Sequence, residues 1–320
     1  MKKKISKDIV YNFFNKNSKS WILNGYNDDG YNYPVAAHRL RIIKKIINKN
    51  FLNKKLKILD LGCGGGQVTM ELAKLGHDVI GMDQSENMVK LANMYRNKFK
   101  KKIKEASAFQ VGSINKNKLK KLKFDLCIAM GVIGYLENDK IIFNFLKKIL
   151  KRKGVFLVSC RNRLFNMQSL SFRTLNEIKN KKSTSLINEI RKLYTKLPIK
   201  VSNKIIKNFK FVSKKIKYIN NEVRYKDMLS PAHKNSKKKN YKPFYEPRQH
   251  TPDEIIKSGK KSGFLIKSFH GVHPHLIDPN INQLLPPQVF NKLSDCLLPL
   301  EDYPVSLVLS SVFIGVFKRK

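Results

Sequence analysis

ILDLGCGGGQVT, residues 58 to 69, is the stretch on which the interpretation of the whole chain depends. Its first half, Ile58 to Leu61, is a short apolar run of the kind that is buried on both faces of a parallel sheet, and it includes the carboxylate of Asp60. Four glycines follow within five residues, and Val68 begins a stripe of apolar residues at helical spacing. Glycines at such a turn allow positive φ angles and leave the backbone open to a ligand. The stretch therefore predicts a strand, a ligand-binding turn and a helix.

The spacing of the glycines separates two kinds of nucleotide-like ligand. A dinucleotide site requires the pattern GxGxxG after the first strand. Counted from Gly62, the sixth position is Gln67. Counted from Gly64, it is Thr69. The pyrophosphate-binding pattern is therefore absent, and the pattern present is DxGxGxG, residues 60 to 66.

A second acid follows at an informative distance. The segment HDVIGMD, residues 77 to 83, predicts a strand that ends in Asp83. A parallel α/β sheet places an acid about 20 residues beyond the glycines, where it accepts hydrogen bonds from both hydroxyls of a ribose. Ser85 is a candidate N-cap for the helix that follows. This order of elements predicts a site for a ligand that contains a ribose.

The DxGxGxG stretch resembles motif I of the class I S-adenosylmethionine-dependent methyltransferases. Within that class, the chain is most similar to ubiquinone-type 3-O-methyltransferases and to small-molecule methyltransferases of surface-polysaccharide pathways. Arg39-Leu40 matches an Arg-Leu pair on the helix before motif I, and the KRKG turn before Val155 resembles the family's element before strand five. The resemblance implies an enzyme that binds S-adenosylmethionine and transfers its methyl group.

The resemblance also implies which residues hold the cofactor. In the family an acid after the third strand binds the adenine amino group, but this chain has Ser113 and Ile114 there, whose hydroxyl or backbone could take that role. Met130, at the end of the fourth strand, would touch the cofactor near its methionine moiety. The implied cofactor-binding residues are Arg39, Asp60, Gly62, Cys63, Gly64, Gly66, Asp83, Gln84, Ser113, Ile114 and Met130.

The implied fold is a Rossmann-like α/β fold with a seven-stranded, mostly parallel sheet, an antiparallel last strand at the end of the sheet and a helical insertion after strand five. Apolar runs predict the strands at 57–61, 77–83, 108–111, 124–130, 155–159, 264–270 and 305–317. The predicted divisions are an N-terminal helical segment (1–50), a cofactor-binding core (51–160), the insertion (161–250) and the C-terminal part of the sheet (251–320).

The charge of the chain bears on its partners. A net charge of +42 over 320 residues invites a nucleic acid or an anionic membrane surface as a partner. The basic stretch Lys234 to Lys242 includes Tyr241, a mixture that could bind RNA. Lysine is abundant along the whole chain, however, so a general lysine coat is the simpler interpretation. We expect methyl transfer to an oxygen of a small molecule, or of a sugar or lipid intermediate. An RNA methyltransferase and a non-catalytic cofactor-binding scaffold are the alternatives.

The cysteines and the apolar runs bear on the compartment. The four cysteines lie far apart and form no CxxC pair, which predicts neither a zinc site nor a disulfide framework. The longest apolar run, Val305 to Val316, is too short to span a bilayer, and no segment with the character of a signal peptide follows the basic N-terminus. We expect a reduced, cytoplasmic protein without a transmembrane segment.

Transfer to a hydroxyl would require a base. The candidates in the sequence are His250, His270, His273, His275 and Tyr135. The segment HGVHPH, residues 270 to 275, has a spacing that could bind a metal, but it includes a proline and lacks nearby carboxylates and cysteines, so we predict no metal site.

The position of the acceptor follows from the predicted sheet. Ligands of open α/β sheets bind outside the carboxyl ends of the strands, so we expect one rim to be shared by Asp60, Asp83, Ser113, Met130 and Cys160. Our hypothesis is that the insertion and the aromatic stretch Trp21 to Tyr33 close over this rim as a lid. Arg161 and Arg163 would suit an acidic acceptor there, although a surface pair is the commoner explanation.

Overall fold

The structure is a computed structural model, and it describes residues 7–19, 35–115, 119, 122–169, 171–222, 247–276 and 287–320. Two predictions fall outside these residues. They are the aromatic lid segment at 21–33 and the basic stretch at 234–242.

Strands and helices alternate through most of the described chain. The strands are β1 (Lys57–Leu61), β2 (Asp78–Asp83), β3 (Ser107–Val111), β4 (Phe124–Met130), β5 (Leu150–Arg161), β6 (Phe264–Val272) and β7 (Val312–Arg319). The α-helices are α1 (Lys7–Lys16), α2 (Val35–Phe51), α3 (Gln67–Lys74), α4 (Glu86–Arg96), α5 (Lys101–Glu105), α6 (Asp139–Ile149), α7 (Phe172–Lys179), α8 (Ser183–Leu193), α9 (Ile199–Glu222), α10 (Pro252–Lys261), α11 (Pro287–Asp295) and α12 (Ser306–Leu309). The predicted strands are confirmed in number and order.

The strands form one sheet with the order β3-β2-β1-β4-β5-β7-β6. The five strands β1 to β5 are parallel, and β7 is antiparallel to both β5 and β6. The antiparallel last strand is therefore confirmed, but its predicted place at the end of the sheet is wrong, because β6 forms that edge. Since β6 runs in the same direction as β1 to β5, its carboxyl end reaches the same rim as theirs.

Two apolar layers cover the two faces of the sheet. One layer packs α6 and α10 against the sheet and centres on Phe143, Phe156 and Phe317. The other packs α2 and α3 against the opposite face, with Ile42 and Leu72 among its buried residues. Burial on both faces explains why the central strands are continuous apolar runs without alternation.

Local signals mark several helix ends, among them the N-cap that the sequence predicted at Ser85. The Ser85 hydroxyl accepts a hydrogen bond from the backbone N–H of Met88 at 3.2 Å, which caps α4. At α10, Thr251 and Glu254 form a reciprocal capping box, with bonds of 3.2 and 2.8 Å. Gly76 follows α3 with a φ angle of 89°. These local signals fix where the helices begin and end.

The last strand is shorter than predicted. β7 begins at Val312, and the preceding apolar residues form the short helix α12 instead. The side-chain amide of Asn162 donates to the carbonyl oxygens of Leu307 and Ser310, which holds this segment against the end of β5. The Ser306 hydroxyl donates to the carbonyl oxygen of Tyr303 at 2.7 Å. Polar contacts from distant residues therefore override the apolar pattern.

The segment after β5 is helical where it is described. The first part of the predicted helical insertion is divided into two helices, α7 and α8, at Lys181, whose φ angle is 54°. α9 continues the segment to Glu222. In the described part of the chain, no helix has the length and apolar character that crossing a bilayer requires.

Candidate functional site

The glycine turn after β1 has the backbone conformation that its sequence predicts. Gly62, Gly64 and Gly66 have φ angles of 68°, 52° and 82°, in the left-handed region that favours glycine. The N–H of Gly62 donates to the carbonyl oxygen of Met82 at 2.7 Å, which ties the turn to β2. A Cβ atom added to Gly66 would lie 2.5 Å from Cζ of Phe109, whereas one added to Gly64 would meet only a sulfur atom at 4.0 Å. The turn is therefore open at Gly64 and closely packed at Gly66.

Asp83 ends β2 opposite this open turn. Its Oδ2 accepts the backbone N–H of Gly64 at 3.0 Å, and its Oδ1 accepts that of Ser85 at 2.9 Å. Burial raises the pKa of the Asp83 carboxyl, although these hydrogen bonds oppose the shift. Each carboxylate oxygen retains acceptor capacity beyond its one backbone bond. Half-buried Gln84 lies between Asp83 and Ser85 in the same turn. The arrangement offers two fixed oxygen acceptors to a ligand with neighbouring hydroxyls.

Asp60 and Cys63 lie beneath the turn and not at its surface. The Asp60 carboxylate is 2% exposed and accepts a hydrogen bond from the Thr69 hydroxyl at 2.8 Å, which links β1 to α3. Burial raises the pKa of Asp60 to about 7, and the charge of Asp83 adds to the shift. Burial likewise raises the pKa of the Cys63 thiol. Both side chains therefore support the turn from inside.

The ends of β3 and β4 complete one side of the rim. The N–H of Gly112 donates to the carbonyl oxygen of Asp83 at 2.9 Å, which places Ser113 and Ile114 beside the end of β2. Ser113 is half-buried, and Ile114 packs on the apolar core. Met130 is half-buried at the end of β4. Ser113 and Ile114 are therefore brought beside Asp83, whereas Met130 lies at the same edge of the sheet, two strands away from β2.

Cys160 does not join them. Its side chain is 1% exposed and belongs to the apolar layer under α6. Asp83, Ser113 and Met130 are half-buried at the carboxyl ends of their strands, whereas the side chains of Asp60 and Cys160 are turned into the interior.

Arg39 and Tyr135 reach the rim from opposite sides. A Cβ atom placed on Gly131, directly after β4, would lie 3.7 Å from Nη1 of Arg39. Tyr135 ends a short 3₁₀ helix after β4, and its ring meets Phe14 edge-on at 5.2 Å. Burial raises the pKa of Tyr135, while the positive charges of Arg161 and Arg39 act in the opposite direction. A half-buried phenol and two guanidinium groups are thus neighbours at the carboxyl end of β4.

Helix α1 is part of the site, and the sequence did not indicate it. Its Asn15 side-chain oxygen accepts the Ser85 hydroxyl at 2.9 Å and the N–H of Asn87 at 3.0 Å, directly beyond Asp83. Its Phe14 contacts Tyr135 on the other lip of the crevice. No local signal marks either residue, because their partners lie about 70 and 120 positions away in the chain.

His250 belongs to a buried polar network. Its Nε2 lies 2.9 Å from Oδ1 of Asp139, which also accepts Nη2 of Arg248 at 2.6 Å. Although burial opposes ionisation, the bonds from His250 and Arg248 lower the pKa of Asp139. Arg248 also donates to the carbonyl oxygens of Ile133 and Leu136. This network holds the 3₁₀ helix that carries Tyr135.

The three C-terminal histidines are also held by the fold. The Nδ1 of His270 lies 2.7 Å from Asp302 and its Nε2 lies 2.9 Å from Ser268, so both ring nitrogens are occupied. Burial lowers the pKa of His273 to about 3, too low for a base that works near neutral pH. The His275 ring packs on Phe165 at 4.8 Å. The contacts of these three histidines and of His250 are therefore contacts with the protein itself, and we propose none of the four as the base. Within the described residues, no group of His, Cys, Asp and Glu could hold a metal ion.

The arginine pair after β5 is divided between two environments. Arg163 donates two hydrogen bonds to Glu177, at 2.8 and 2.7 Å, and one to Glu254 at 2.8 Å. These bonds raise the pKa of Arg163 and make it a structural link between α7 and α10. The guanidinium group of Arg163 is therefore engaged by carboxylates of the protein itself and does not suit an acidic acceptor. Arg161 is exposed and remains near Tyr135.

Comparison with known proteins adds an independent finding. A family model described as a methyltransferase domain matches residues 52–246. The ubiquinone biosynthesis O-methyltransferase of Pelagibacter ubique (strain HTCC1062) is 30% identical over 171 residues, which cover 51% of this chain and 65% of that protein. The one of Rickettsia prowazekii (strain Madrid E) is 32% identical over 156 residues, which cover 48% of this chain and 56% of that protein. The chain thus spans less than two thirds of the length of these curated relatives.

A solved structure covers the whole fold. The magnesium protoporphyrin IX methyltransferase ChlM from Synechocystis PCC 6803, crystallised with bound SAH, aligns with a TM-score of 0.55 and 15% sequence identity. The alignment covers 98% of this chain and 100% of that chain. At this identity the likeness shows the fold alone, and it confirms the predicted Rossmann-like architecture with its antiparallel last strand.

Proposed function

Because the chain belongs to the family of methyltransferase domains, we propose that it is an S-adenosylmethionine-dependent O-methyltransferase that acts on a small-molecule acceptor. The observation that carries the proposal is the Asp83 carboxylate, which two backbone N–H groups fix opposite the open glycine turn. The names of the curated relatives support transfer to oxygen and a small acceptor. A sugar or lipid intermediate belongs to the same proposed acceptor class.

The residues at the rim fit this cofactor. Asp83 offers oxygen acceptors to the two ribose hydroxyls, and Gly64 leaves room for the ligand to approach the backbone. We assign the adenine to Ser113 and Ile114 and the methionine moiety to Met130, all of which are half-buried. When bound, S-adenosylmethionine supplies an electrophilic methyl group on a sulfonium centre. The protein holds the acceptor and the cofactor in the orientation that the reaction requires. Effective molarities of intramolecular reactions show that such positioning can lower an activation barrier by roughly 7 to 11 kcal/mol.

The acceptor would occupy the end of β4. Tyr135, Arg39 and Arg161 surround this position, and Tyr135 is the candidate for a group that orients the acceptor, because its raised pKa keeps the phenol protonated near neutral pH. The two guanidinium groups favour an acceptor that is anionic or becomes anionic when its hydroxyl loses a proton. The segment 161–250 begins at the carboxyl end of β5, so we propose that it determines which acceptor binds.

Calorimetry with S-adenosylhomocysteine tests the cofactor site. Asp83→Asn should weaken binding at least tenfold, because an amide nitrogen replaces one of the two acceptors. Asp78→Asn is the matched control, since Asp78 is exposed at the other end of β2 and its carboxylate pairs with Lys55 at 2.8 Å. The proposal fails if the unmodified protein shows neither a heat of binding nor a thermal shift with S-adenosylhomocysteine at about 1 mM. A dissociation constant near this concentration is the weak limit of specific binding.

A labelling experiment tests the acceptor class. The protein is incubated with the radiolabelled cofactor and with separated pools of small molecules, lipids and RNA. We expect the label in the small-molecule or lipid pool. Label in RNA would replace the proposed acceptor with a nucleic acid. Cofactor binding without transfer to any pool would favour a non-catalytic scaffold.

A further inference from the structure

The amino ends of the parallel strands form an edge of the sheet that carries mostly cations. The carboxyl end of the antiparallel β7 reaches the same edge, and α6 and α10 end beside it. The residues of this surface, which we call the basic edge, are 54–57, 123–125, 147–153, 260–263 and 318–320. Fourteen of these 21 residues are Lys or Arg, compared with 65 of 320 in the whole chain. A lysine coat spread evenly over the chain does not produce this local excess.

Contacts between these segments show that they lie side by side. Lys123 Nζ donates to the carbonyl oxygen of Lys148 at 2.6 Å, which joins the starts of β4 and β5. The guanidinium group of Arg319 donates to the carbonyl oxygen of Leu150, which joins the end of β7 to β5. Phe264, the first residue of β6, pairs with Arg319. The basic edge is therefore one continuous surface across neighbouring strand ends.

A bulge in β5 adds to the basic edge. The register between β4 and β5 shifts between Phe124 and Leu126, where β5 has three more residues than β4. This stretch of β5 includes the cations at 151–153, all of which are exposed. Lys153 has a φ angle of 63°, in the left-handed region that favours glycine. The backbone thus adopts an unfavourable conformation at a residue that adds positive charge to the basic edge.

Few carboxylates oppose this charge. Asp125 is the one acid in the segments of the basic edge, and it already accepts Lys151 Nζ at 2.9 Å and the N–H of Lys57 at 3.0 Å. Asp78, at the start of the neighbouring β2, pairs with Lys55 at 2.8 Å. Eleven of the fourteen basic residues are exposed. Fourteen cations and these two carboxylates give a formal charge of +12.

We propose that the basic edge docks onto the phosphate backbone of a nucleic-acid double helix. Its five adjacent strand ends, at about 4.8 Å per strand, span about 19 Å. Each strand of a double helix presents one phosphate per about 3.4 Å of its axis, so about six phosphates match an edge of that length. Exposed lysines neutralise such phosphates without contacting the bases.

The side chains of the basic edge favour this partner over others. Protein interfaces are depleted in lysine, yet twelve of the fourteen basic residues are lysines. Stable contact with a bilayer adds buried apolar side chains to the charge, and binding of single strands adds aromatic stacking. The apolar residues within the basic edge offer neither, because each is at most 1% exposed. They are Leu56, Phe124, Ile149 and Leu150.

The basic edge lies away from the cofactor crevice. β1 and β4 are five and seven residues long. At about 3.3 Å per residue, the two ends of these strands are roughly 16 to 23 Å apart. A double helix held at the basic edge is therefore a docking partner and not the methyl acceptor. The inference does not depend on the proposed reaction or acceptor.

Fluorescence anisotropy of the full chain with a labelled duplex of about 20 base pairs, which is longer than the basic edge, tests the proposal. RNA and DNA duplexes of the same sequence should bind within about tenfold of each other, because they share the phosphate backbone. For the DNA duplex, log affinity plotted against log salt should have a slope of about −5, as expected for about six neutralised phosphates.

The variant K148Q/R152Q/K153Q removes three exposed charges from the basic edge and keeps the ion pair between Lys151 and Asp125. It should bind the DNA duplex at least about tenfold more weakly at about 0.1 M salt, and its salt slope should be smaller by about 2 to 3. If circular dichroism shows that this variant is unfolded, Lys153→Gly replaces it. Glycine suits the left-handed conformation, and the loss of one charge should reduce the slope by about 1.

A matched control separates the basic edge from the general charge of the chain. The variant K179Q/K181Q/K182Q also removes three exposed charges, in the segment that follows the carboxyl end of β5. Lys181 has a φ angle of 54°, so the control includes a left-handed lysine as well. It should bind the DNA duplex within about threefold of the unmodified protein, with an unchanged salt slope.

Several results would overturn the proposal. One is the absence of duplex binding at about 0.1 mM protein, the weak limit of non-specific binding. Another is an equal loss of affinity in the two triple variants, which would assign binding to the lysine coat as a whole. A preference above about tenfold for RNA or DNA would show that groups other than phosphates are recognised. Binding to phosphatidylglycerol vesicles without binding to duplexes would assign the basic edge to a bilayer.

Discussion

Replacing Gly64 with alanine tests whether the open side of the glycine turn holds a ligand. The added Cβ atom would lie 4.0 Å from Sδ of Met88, an ordinary contact distance, so it meets no steric conflict within the protein. The φ angle of Gly64 is 52°, which an alanine adopts only with strain. The substitution therefore adds a methyl group to the crevice at a limited cost in stability.

The expected cost in stability follows from two opposing contributions. The left-handed conformation costs an L-residue roughly 1 to 2 kcal/mol. Alanine also lowers the conformational entropy of the unfolded chain, which offsets about 0.4 to 1 kcal/mol of this cost. The net loss is about 1 kcal/mol, or roughly 1 to 2 °C in Tm for a protein of this size. A methyl group in the ligand's path should meanwhile weaken S-adenosylhomocysteine binding at least tenfold, which corresponds to about 1.4 kcal/mol.

Gly76→Ala is the matched control for backbone strain. Gly76 has a φ angle of 89°, and a Cβ atom there would have nothing within 4 Å. Thermal unfolding should therefore show similar losses for the two variants, while calorimetry should show weakened binding only for Gly64→Ala. If Gly64→Ala binds S-adenosylhomocysteine within twofold of the unmodified protein, the ligand does not approach the turn at Gly64 and the assignment of the crevice is wrong.

Three further substitutions test the supports of the site. Gly66→Ala should destabilise the protein by roughly 1 to 3 kcal/mol more than Gly76→Ala in urea unfolding, because its methyl group would lie 2.5 Å from an aromatic carbon. Equal losses of stability in the two variants would contradict the close packing at Gly66. The folded-state pKa of Asp60, about 7, exceeds its unfolded value of 3.8, so its contribution to stability falls as pH rises from about 4 to 7, by at most ~1.4 kcal/mol per pH unit. Asp60→Asn should remove that fall, and parallel pH profiles of the two proteins in urea unfolding would disprove the shift. Arg248→Lys should lower the free energy of unfolding in urea by roughly 2 kcal/mol, because lysine cannot reproduce the hydrogen bonds of the guanidinium group to Asp139 and to two carbonyl oxygens. A loss below about 0.5 kcal/mol would show that this network is dispensable for stability.

Local chemistry allowed much of the fold and the cofactor side of the site to be predicted. A glycine at a positive φ angle, a hydroxyl that caps a helix and an apolar run buried on both faces each depend on neighbours within a few residues. The positions of Gly64, Asp83 and Ser85 could therefore be recognised before the strands were assembled. Asp83 and Ser113 meet at one rim because parallel strands bring their carboxyl ends to the same edge.

The tertiary structure alone decided which side chains face that rim and which support it. The sequence predicted the last strand, but its place between β5 and β6 depends on pairing with residues about 160 and 50 positions away. The sequence could not show that Arg163 is bound within the protein, because its partner Glu254 lies 91 residues further along the chain. The exposure of Phe172, Leu175 and Ile178 on α7 could not be predicted either, because their helical spacing predicts a buried face. A periodic pattern records that one side of a helix is apolar, whereas the direction of that side is set by ion pairs and caps formed after the chain has folded.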